Sequence, residues 1–596
     1  MYSAETTLVV PGPRTQSAEP APPAPPAQWH RVLTLLADIG LLIGTRAVWT
    51  SAAGHRPAVA AVISLCYASI LVCGVLALVV RRARSLARVD RCVLVTGVTL
   101  TLCAWIMLHN GSDEALLTTQ AARELAAGHP VYGQPWPWLF GHGVALTPTV
   151  TGGYDLTYGY PPLAPLLAVP LLWLCHGGTP ATAVSTGTLI AGTVALWRML
   201  PMPWRSAATL VCLGFGMLPS YGRLGYPAIV ALALLVPVVV RWTRTGVGGR
   251  LGAAGLARAA CLGLACAAQQ LPWFLAPFLL AGIYAVRRGE LGGRAAALVV
   301  ARFAGVAAVG WLLVNAYFVV SEPGRWLTGI ALPLTQGAVL HGQGVVGVSL
   351  YLTDGSDRID WYSRASLLLL AGLLALFVLF VRRLGPAATV LPWCAFYLAT
   401  RSQDGYYLLM TPLWLASAVT APASAFAGAW QPRPGPLPGP LPGLLPGLLP
   451  GSRRSTARIA VTVLLLAPAL VAAAVAATGT PPLRMRVTAV RHPSAATVSR
   501  LALKVTNTGD AALSPHFTLT TGQGMDPYWR VVRGPRTLPA HGTARYELRP
   551  PAGRFTLPRT GGRIRLRAFT ASPQTLSSTD VQAAVRGGPT DVGVRP

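Results

Sequence analysis

Acidic side chains are what this chain has least of. Nineteen Asp and Glu stand against 48 Lys and Arg in 596 residues, a formal net charge of +29, and Lys504 is the single lysine. Charged residues of all kinds make up 11% of the chain while hydrophobic ones make up 53%, with a mean hydropathy of +0.51. That balance excludes an ordinary soluble domain and implies a polytopic membrane protein. It also argues against nucleic acid as a partner. The arginines cluster between apolar runs, as in "RRARSLARVDR" (81–91) and "RWTRTGVGGR" (241–250), and form no basic stripe interleaved with aromatics; such clusters are the positive-inside signal. Cysteine is missing from every polar segment. Cys66, Cys73, Cys92, Cys103, Cys175, Cys212, Cys261, Cys266 and Cys394 lie in or beside apolar runs, which leaves no disulfide framework and no CxxC metal site. The pattern of a cleaved signal peptide is lacking too. The first thirty residues, ending "AEPAPPAPPAQWH", read as a disordered cytoplasmic tail, so the first apolar run is expected to stay as an anchor.

What the chain does have is a series of apolar runs near the roughly 20 residues that cross a bilayer as a helix, a form that satisfies its own backbone in lipid. Spans are expected near 31–51, 57–80, 91–109, 181–199, 205–220, 226–241, 299–320, 364–381, 386–400, 406–425 and 457–477, with a pair within 255–285. The fold class is therefore an all-α polytopic membrane protein of about 11–13 transmembrane helices. Counting from a cytoplasmic N-terminus puts 81–91 inside and 110–160 outside. If "PPLAPLLAVPLLWLC" (161–175) crossed fully, "RWTRTGVGGR" would fall outside, against the arginine bias. This proline-bounded segment is therefore expected to lie along or re-enter the outer leaflet.

The domains read as a tail at 1–30, a polytopic region at 31–430 with its first outer loop at 110–160, a cytoplasmic linker at 431–456, a last span at 457–478 and an extracytoplasmic region at 479–596. The linker's "GPLPGPLPGLLPGLLPG" places proline too often for a helix. In the last region "LRMRVTAV", "RLALKVTNTGD", "HFTLTTG", "YWRVVRG", "ARYELRP" and "RIRLRAFTA" alternate between turn signals, the pattern of a small antiparallel β-sandwich.

The few acids are unevenly placed. From 91 to 480, Asp113, Glu114, Glu124, Asp155, Glu322, Asp354, Asp357, Asp360 and Asp404 fall in expected outer loops, whereas Glu290 does not. A solvated outer surface accounts for most of them. Asp113 differs because it leaves an apolar run and opens an amphipathic stretch, with Leu116, Leu117, Ala121 and Leu125 on one side and Asp113, Gln120 and Glu124 on another. Its plain reading is a helix cap. Its chemical reading is a carboxylate at the membrane surface, free to take a proton.

The apolar run ending at 109, Asp113 at its exit, the stretch ending "AAGHPVYG" and the following "YGYPPLAPLLAVPL" (158–171) carry a resemblance. Together they resemble the first outer loop of GT-C-fold polyprenyl-phosphate-dependent glycosyltransferases, most of all the actinobacterial mannosyltransferase-like branch called glycosyltransferase family 87. "HGQGVVGVSLYL" (341–352) and "DGYYLLMTPLW" (404–414) are similar to an outer-loop motif and a late span of that family. "AAQQLPWFLAPFLL" (267–280) stands where a Lys-x-x-Pro motif is common, with Gln269 and Gln270 in place of the lysine. "SYGRLGYPAIVALALLV" (220–236) stands where a Gly-Gln turn is common and lacks the glutamine. The similarity covers roughly residues 90–425 and leaves the C-terminal region out.

The resemblance implies an enzyme of the cell membrane that moves mannose or another hexose or pentose from a polyprenyl-phosphate-linked donor to a cell-envelope glycan or glycolipid. Asp113 is then the expected catalytic base. Glu114, Glu124, Tyr160, His341, Gln343, Arg401, Tyr406 and Tyr407 are the expected substrate-binding residues, with His341, Arg325, Arg401 and the two tyrosines as donors to the leaving phosphate. No cofactor is specified. Carboxylates close in sequence at 113–114 and 354–360 leave a divalent metal ion open, but no ligand spacing supports one, and "DGSDRID" (354–360) has Ala365 where a calcium loop has its glutamate. Trp136 and Trp138 are candidates for stacking on sugar or for anchoring at the headgroups.

The competing reading is a transporter or lipid flippase with an outer glycan-binding domain. It calls for internal repeats and intramembrane charges, for which Asp38, Arg46 and Arg302 are the candidates.

Overall fold

The computed structural model describes residues 26–109, 111–140, 147–174, 179–335, 337, 339–432, 453–494, 496–522, 526–557 and 564–581. The tail up to residue 25, linker residues 433–452 and Cys175 lie outside the described residues. The chain is mostly helical, with a β-sheet region after the last helix.

Three antiparallel helices open it: α1 (Gln28–His55), α2 (Pro57–Val79) and α3 (Ala83–Met107). Pro57 starts α2 one residue after α1 ends, because proline lacks the N–H that a helix start leaves unused anyway. At the other end of α2 the Arg31 guanidinium donates to the carbonyls of Leu78 and Val80, satisfying groups the helix leaves open. Buried Asp90 of α3 accepts from Thr34 at 2.8 Å and from Ser206, and lies 2.7 Å from His30 Nε2, which joins α1, α3 and α7 (Arg205–Leu213) at the face away from Asp113.

Between α3 and α7 come α4 (Asp113–Ala126), α5 (Leu163–Leu174) and α6 (Pro180–Met199). Before α5, Tyr132 donates to the Tyr160 carbonyl and Tyr158 to that of Pro161. After it, Thr179 donates to the His109 carbonyl, at the end of α3 from which α4 departs. Both flanks of α5 therefore belong to one face, and the segment 161–175 does not carry the chain to the other. The arginine bias had required this.

The expected span at 205–220 is broken. After α7 the chain bends at Phe215 (φ 56) and Gly216 (φ 71) before α8 (Met217–Leu224), then turns again at Gly225 into α9 (Pro227–Val239); the two arms cross at 119°. The first bend lies where α1 touches this segment backbone to backbone. A Cβ on Gly44 would sit 2.3 Å from Gly216 N, so no larger residue fits.

The remaining helices are α10 (Ala253–Ala268), α11 (Leu271–Leu291), α12 (Gly293–Ser321), α13 (Pro323–Thr335), α14 (Trp361–Leu379), α15 (Val381–Leu384), α16 (Leu391–Cys394), α17 (Asp404–Thr420) and α18 (Arg453–Thr478). The run at 386–400 forms no regular helix. Pro386 and Pro392 divide it into short turns around α16, with Trp393 buried at their centre. Among the described residues six helices are long and apolar enough to cross a membrane, namely α1, α2, α3, α12, α14 and α18, or seven if the bent pair counts as one. This makes the chain a membrane protein.

Three two-residue strands sit in its loops: β1 (His341–Gly342), β2 (Gly355–Ser356) and β3 (Arg401–Ser402), with β1 and β3 parallel. The C-terminal region holds β4 (Leu483–Arg491), β5 (Thr497–Val498), β6 (Arg500–Asn507), β7 (His516–Thr520), β8 (Arg530–Arg533), β9 (Thr543–Arg549), β10 (Phe555–Thr556), β11 (Arg565–Ala571) and β12 (Gln574–Asp580). They form two four-stranded sheets, β4-β6-β9-β8 and β2-β12-β11-β7, while β5 pairs with β10. The alternation read from sequence holds in β6, where Leu501, Leu503 and Val505 share one core with Phe517, Leu519 and Leu566, whereas β8 is exposed throughout and β7, β11 and β12 are buried almost continuously. The second sheet takes β2 from the loop before α14, with Ser356 and Gly355 opposite Leu576 and Ser577.

Gly44→Ala is expected to destabilise the protein by about 1–3 kcal/mol, read as a lower melting temperature in detergent. Gly54→Ala, with nothing within 4 Å of the new methyl group, is expected to leave it unchanged or raise it.

Candidate functional site

The site is built on the start of α4. Ser112 is its cap, the hydroxyl accepting from Ala115 N at 3.3 Å, so the cap once expected at Asp113 is one residue earlier. Ser112 also donates twice to the Leu224 carbonyl, from its N–H at 3.0 Å and its hydroxyl at 2.8 Å. Gly225 packs on Ala115, where a Cβ would come within 2.6 Å of the Ala115 methyl. These contacts press α4 onto the α8–α9 turn and bring Asp113 and Glu114 beside Tyr221 and Tyr226.

Both Asp113 oxygens accept hydrogen bonds, Oδ1 from the Glu114 N–H at 2.9 Å and Oδ2 from the Thr147 hydroxyl at 2.8 Å. Glu114 takes the more enclosed position, and the Tyr160 hydroxyl bonds its carboxyl. Burial first, then Asp113 and Asp155, push the Glu114 carboxyl up to about 8, with Tyr160 and Arg401 pulling the other way. Burial, Glu114 and Asp155 hold Tyr160 well above the ordinary phenol range, so it stays a donor. Glu114 and Tyr160 keep partial exposure although protein encloses them, as do Arg401 and Tyr406.

Arg401 is the cation of the group. Burial lowers its guanidinium, but Tyr406, Tyr160, Glu114 and Asp113 outweigh that and the net shift is upward. Its Nε has no hydrogen-bond partner within the protein. The β1–β3 ladder sets His341 directly across from Arg401, with His341 N bonded to the Thr400 carbonyl at 3.1 Å. Tyr406, its ring tilted against that of Phe396 with centroids 4.7 Å apart, faces Arg401 from the first turn of α17.

Of the expected residues, Asp113, Glu114, Tyr160, His341, Arg401 and Tyr406 come together here. Gln343 stays at the edge, exposed, with its N–H on the Ser402 carbonyl. Tyr407 points to the neighbourhood of Ser402, away from the carboxylates. Glu124 lies elsewhere: eleven residues along α4, about 16 Å, it accepts from Gln120 and lies 3.0 Å from His129, closing the far end of that helix. Arg325 is exposed and pairs with Glu322 at 3.5 Å. Trp136 is buried in the loop's own core and Trp138 is 65% exposed. Gln270 donates to the carbonyls of Gly159 and Ile330, a structural tie where the lysine motif would stand.

The sequence reading had counted Asp155 and Asp404 among the acids without placing them at the site, and had passed over Thr147, Tyr221 and Tyr226. Asp404 accepts from Tyr221 at 3.4 Å. Among the described residues no group of three or more His, Cys, Asp or Glu is arranged to hold a metal ion. The "DGSDRID" loop is instead the strand that docks the C-terminal sheet.

That sheet region reaches the site. Tyr528 donates its hydroxyl to the Thr149 carbonyl at 2.8 Å and its N–H to the Tyr154 hydroxyl at 3.0 Å. A Cβ on Gly152 would sit 2.1 Å from the His516 ring. The loop that carries Thr147 and Asp155 is thus clamped between α4 and the sandwich. Tyr528→Phe is expected to make amides 147–155 exchange with deuterium roughly fivefold faster, the loss of about 1 kcal/mol. Exchange in β6 and β9 stays as it was.

Comparison with models of known protein families, with curated proteins and with solved structures found no match.

Proposed function

We propose that the chain is a membrane glycosyltransferase with a GT-C-like arrangement of 11–13 membrane segments, the short and broken helices included. It would use a polyprenyl-phosphate-linked sugar and act on a cell-envelope glycan or glycolipid at the extracytoplasmic face, where the arginine distribution puts the sandwich. The observation that carries this reading is the convergence of Asp113, Glu114, Tyr160, Arg401 and Tyr406 from three distant parts of the chain at one end of the helices.

The chemistry needs few parts. The acceptor hydroxyl gives its proton to Asp113 as its oxygen bonds the anomeric carbon. On the opposite side of that carbon the bond to the phosphate oxygen breaks, and its electron pair stays on the phosphate, so the configuration inverts. Arg401, with an N–H unused by the protein, supplies charge for that phosphate. Glu114 holds its proton below about 8 and acts as a hydrogen-bond donor, leaving Asp113 as the acceptor of the pair.

The transporter reading has one observation behind it. Asp38 is buried in α1 with both oxygens unpartnered, whereas Arg46 and Arg302 are exposed on their helices. A single buried acid makes no path. Proton-coupled uptake by vesicles containing the protein is the result that would favour it.

With purified protein and polyprenyl-phosphate sugars, Asp113→Asn is expected to lower turnover by about 10²–10⁴-fold at unchanged melting temperature. Wild-type turnover in a folded Asp113→Asn protein overturns the assignment. Activity is expected to decline as pH rises through about 8, where Glu114 loses its proton. Glu114→Gln, a neutral donor at every pH, is expected to remove that decline whatever its effect on the absolute rate.

A further inference from the structure

The face away from Asp113 carries a polar feature that sugar transfer does not use. A cavity of about 480 Å³ lies between the ends of α9, α11 and α17, at the segment "RWTRTGVGGR". Arg241, Arg244, Arg287 and Glu290 supply its charge, and Val286 and Val419 part of its apolar wall. It is one helix length from the candidate site. Gln270, just before α11, touches the loop beside Tyr160, and Arg287 comes near the end of that helix, about 25 Å further on.

Arg287 shows what is missing from the cavity. It is 2% exposed, with Nη2 on the Thr243 carbonyl at 2.7 Å and Nη1 2.7 Å from Glu290, while Nε has no hydrogen-bond partner. A buried guanidinium with an unused N–H is costly unless an anion completes its shell. Glu290, the one carboxylate lining the cavity among the described residues, is half exposed and answers one positive charge of three. Arg241 meanwhile holds a left-handed backbone (φ 54), fixed by its N–H on Thr420 Oγ1 at 2.8 Å. The exposed Arg241 and Arg244 side chains thereby stand at the mouth of the cavity.

We propose that this cavity binds the phosphate headgroup of an anionic membrane lipid. Guanidinium groups match phosphate oxygens in pairs, and basic pockets between helix ends at the membrane surface suit phosphodiester headgroups. The aliphatic walls favour a lipid over free phosphate, since a glycerol backbone can pack on Val286 and Val419 and inorganic phosphate cannot. The site is independent of the transferase reading and stands or falls without it.

The test is native mass spectrometry of the full chain, delipidated in detergent and titrated with phosphatidylglycerol, phosphatidylcholine or inorganic phosphate. Phosphatidylglycerol is expected to bind about tenfold or more tightly than phosphatidylcholine. Arg241→Gln with Arg244→Gln, both exposed and tolerable to the fold, is expected to weaken it by about fivefold per arginine. The same charge change at Arg294 and Arg383, exposed elsewhere, is expected to leave it intact. Equal binding of the two lipids, or a preference that survives the Arg241/Arg244 double substitution, overturns the proposal. Displacement of phosphatidylglycerol by an equal concentration of inorganic phosphate overturns the lipid as ligand.

Discussion

At Leu224 helix α8 runs out of donors: Gly225 turns left-handed and the next helix begins with Pro227, which has no N–H. A carbonyl left open at a buried helix end has to find a partner elsewhere, and here it finds two on Ser112. Their meeting joins the negative end of α8 to the positive end of α4, a favourable arrangement of dipoles. It also decides where the acids go. Asp113 and Glu114 follow Ser112 directly, so the contact that satisfies a broken helix delivers two carboxyl groups to the turn where Tyr221 and Tyr226 stand.

Once there, the charges must be accommodated. Glu114 interacts with Asp113 and with Asp155, and Arg401 interacts with Glu114 and Asp113. Burial and two neighbouring carboxylates work against a charge on Glu114, which keeps its proton. The folded Glu114 carboxyl, near 8, lies far above its ordinary value of 4.5. Between those values the folded chain holds a proton that the unfolded chain has lost. The group's contribution to stability is therefore complete below the ordinary value and is lost as pH rises through about 8.

Much of this could be read from the residues. Proline, arginine and apolar run length gave α1, α2, α6 and the return of α5, since each rests on a local rule or on a count of charges between spans. Asp113, Glu114, Tyr160, Arg401 and Tyr406 were named through the resemblance, and their gathering agrees with polar residues at the ends of apolar runs meeting at one face. Glu124 misled for the same reason that made α4 recognisable. It shares a helix face with Asp113, but a shared face does not shorten the axial distance between them. Thr147 and Asp155 could not be found, as their place depends on a loop held from outside by Tyr528 and His516. Nor could β2 or the β1–β3 ladder, since two-residue strands leave no periodicity to read.

The sandwich bears on chemistry through those unreadable contacts. Arg565 and Arg567 of β11 donate to the Leu350 carbonyl, and Arg565 also to that of Tyr351, while β2 fills the edge of the second sheet. Without the sandwich these loop carbonyls and the edge of β12 would lose their partners together. The same loop carries β1 at its other end, and β1 holds His341 across from Arg401. Tyr528 meanwhile fixes the loop of Thr147 and Asp155 against Asp113. The cation and the acids of the site are thus both braced from one body, which sets their separation in a way that the helices alone, joined by long loops, do not.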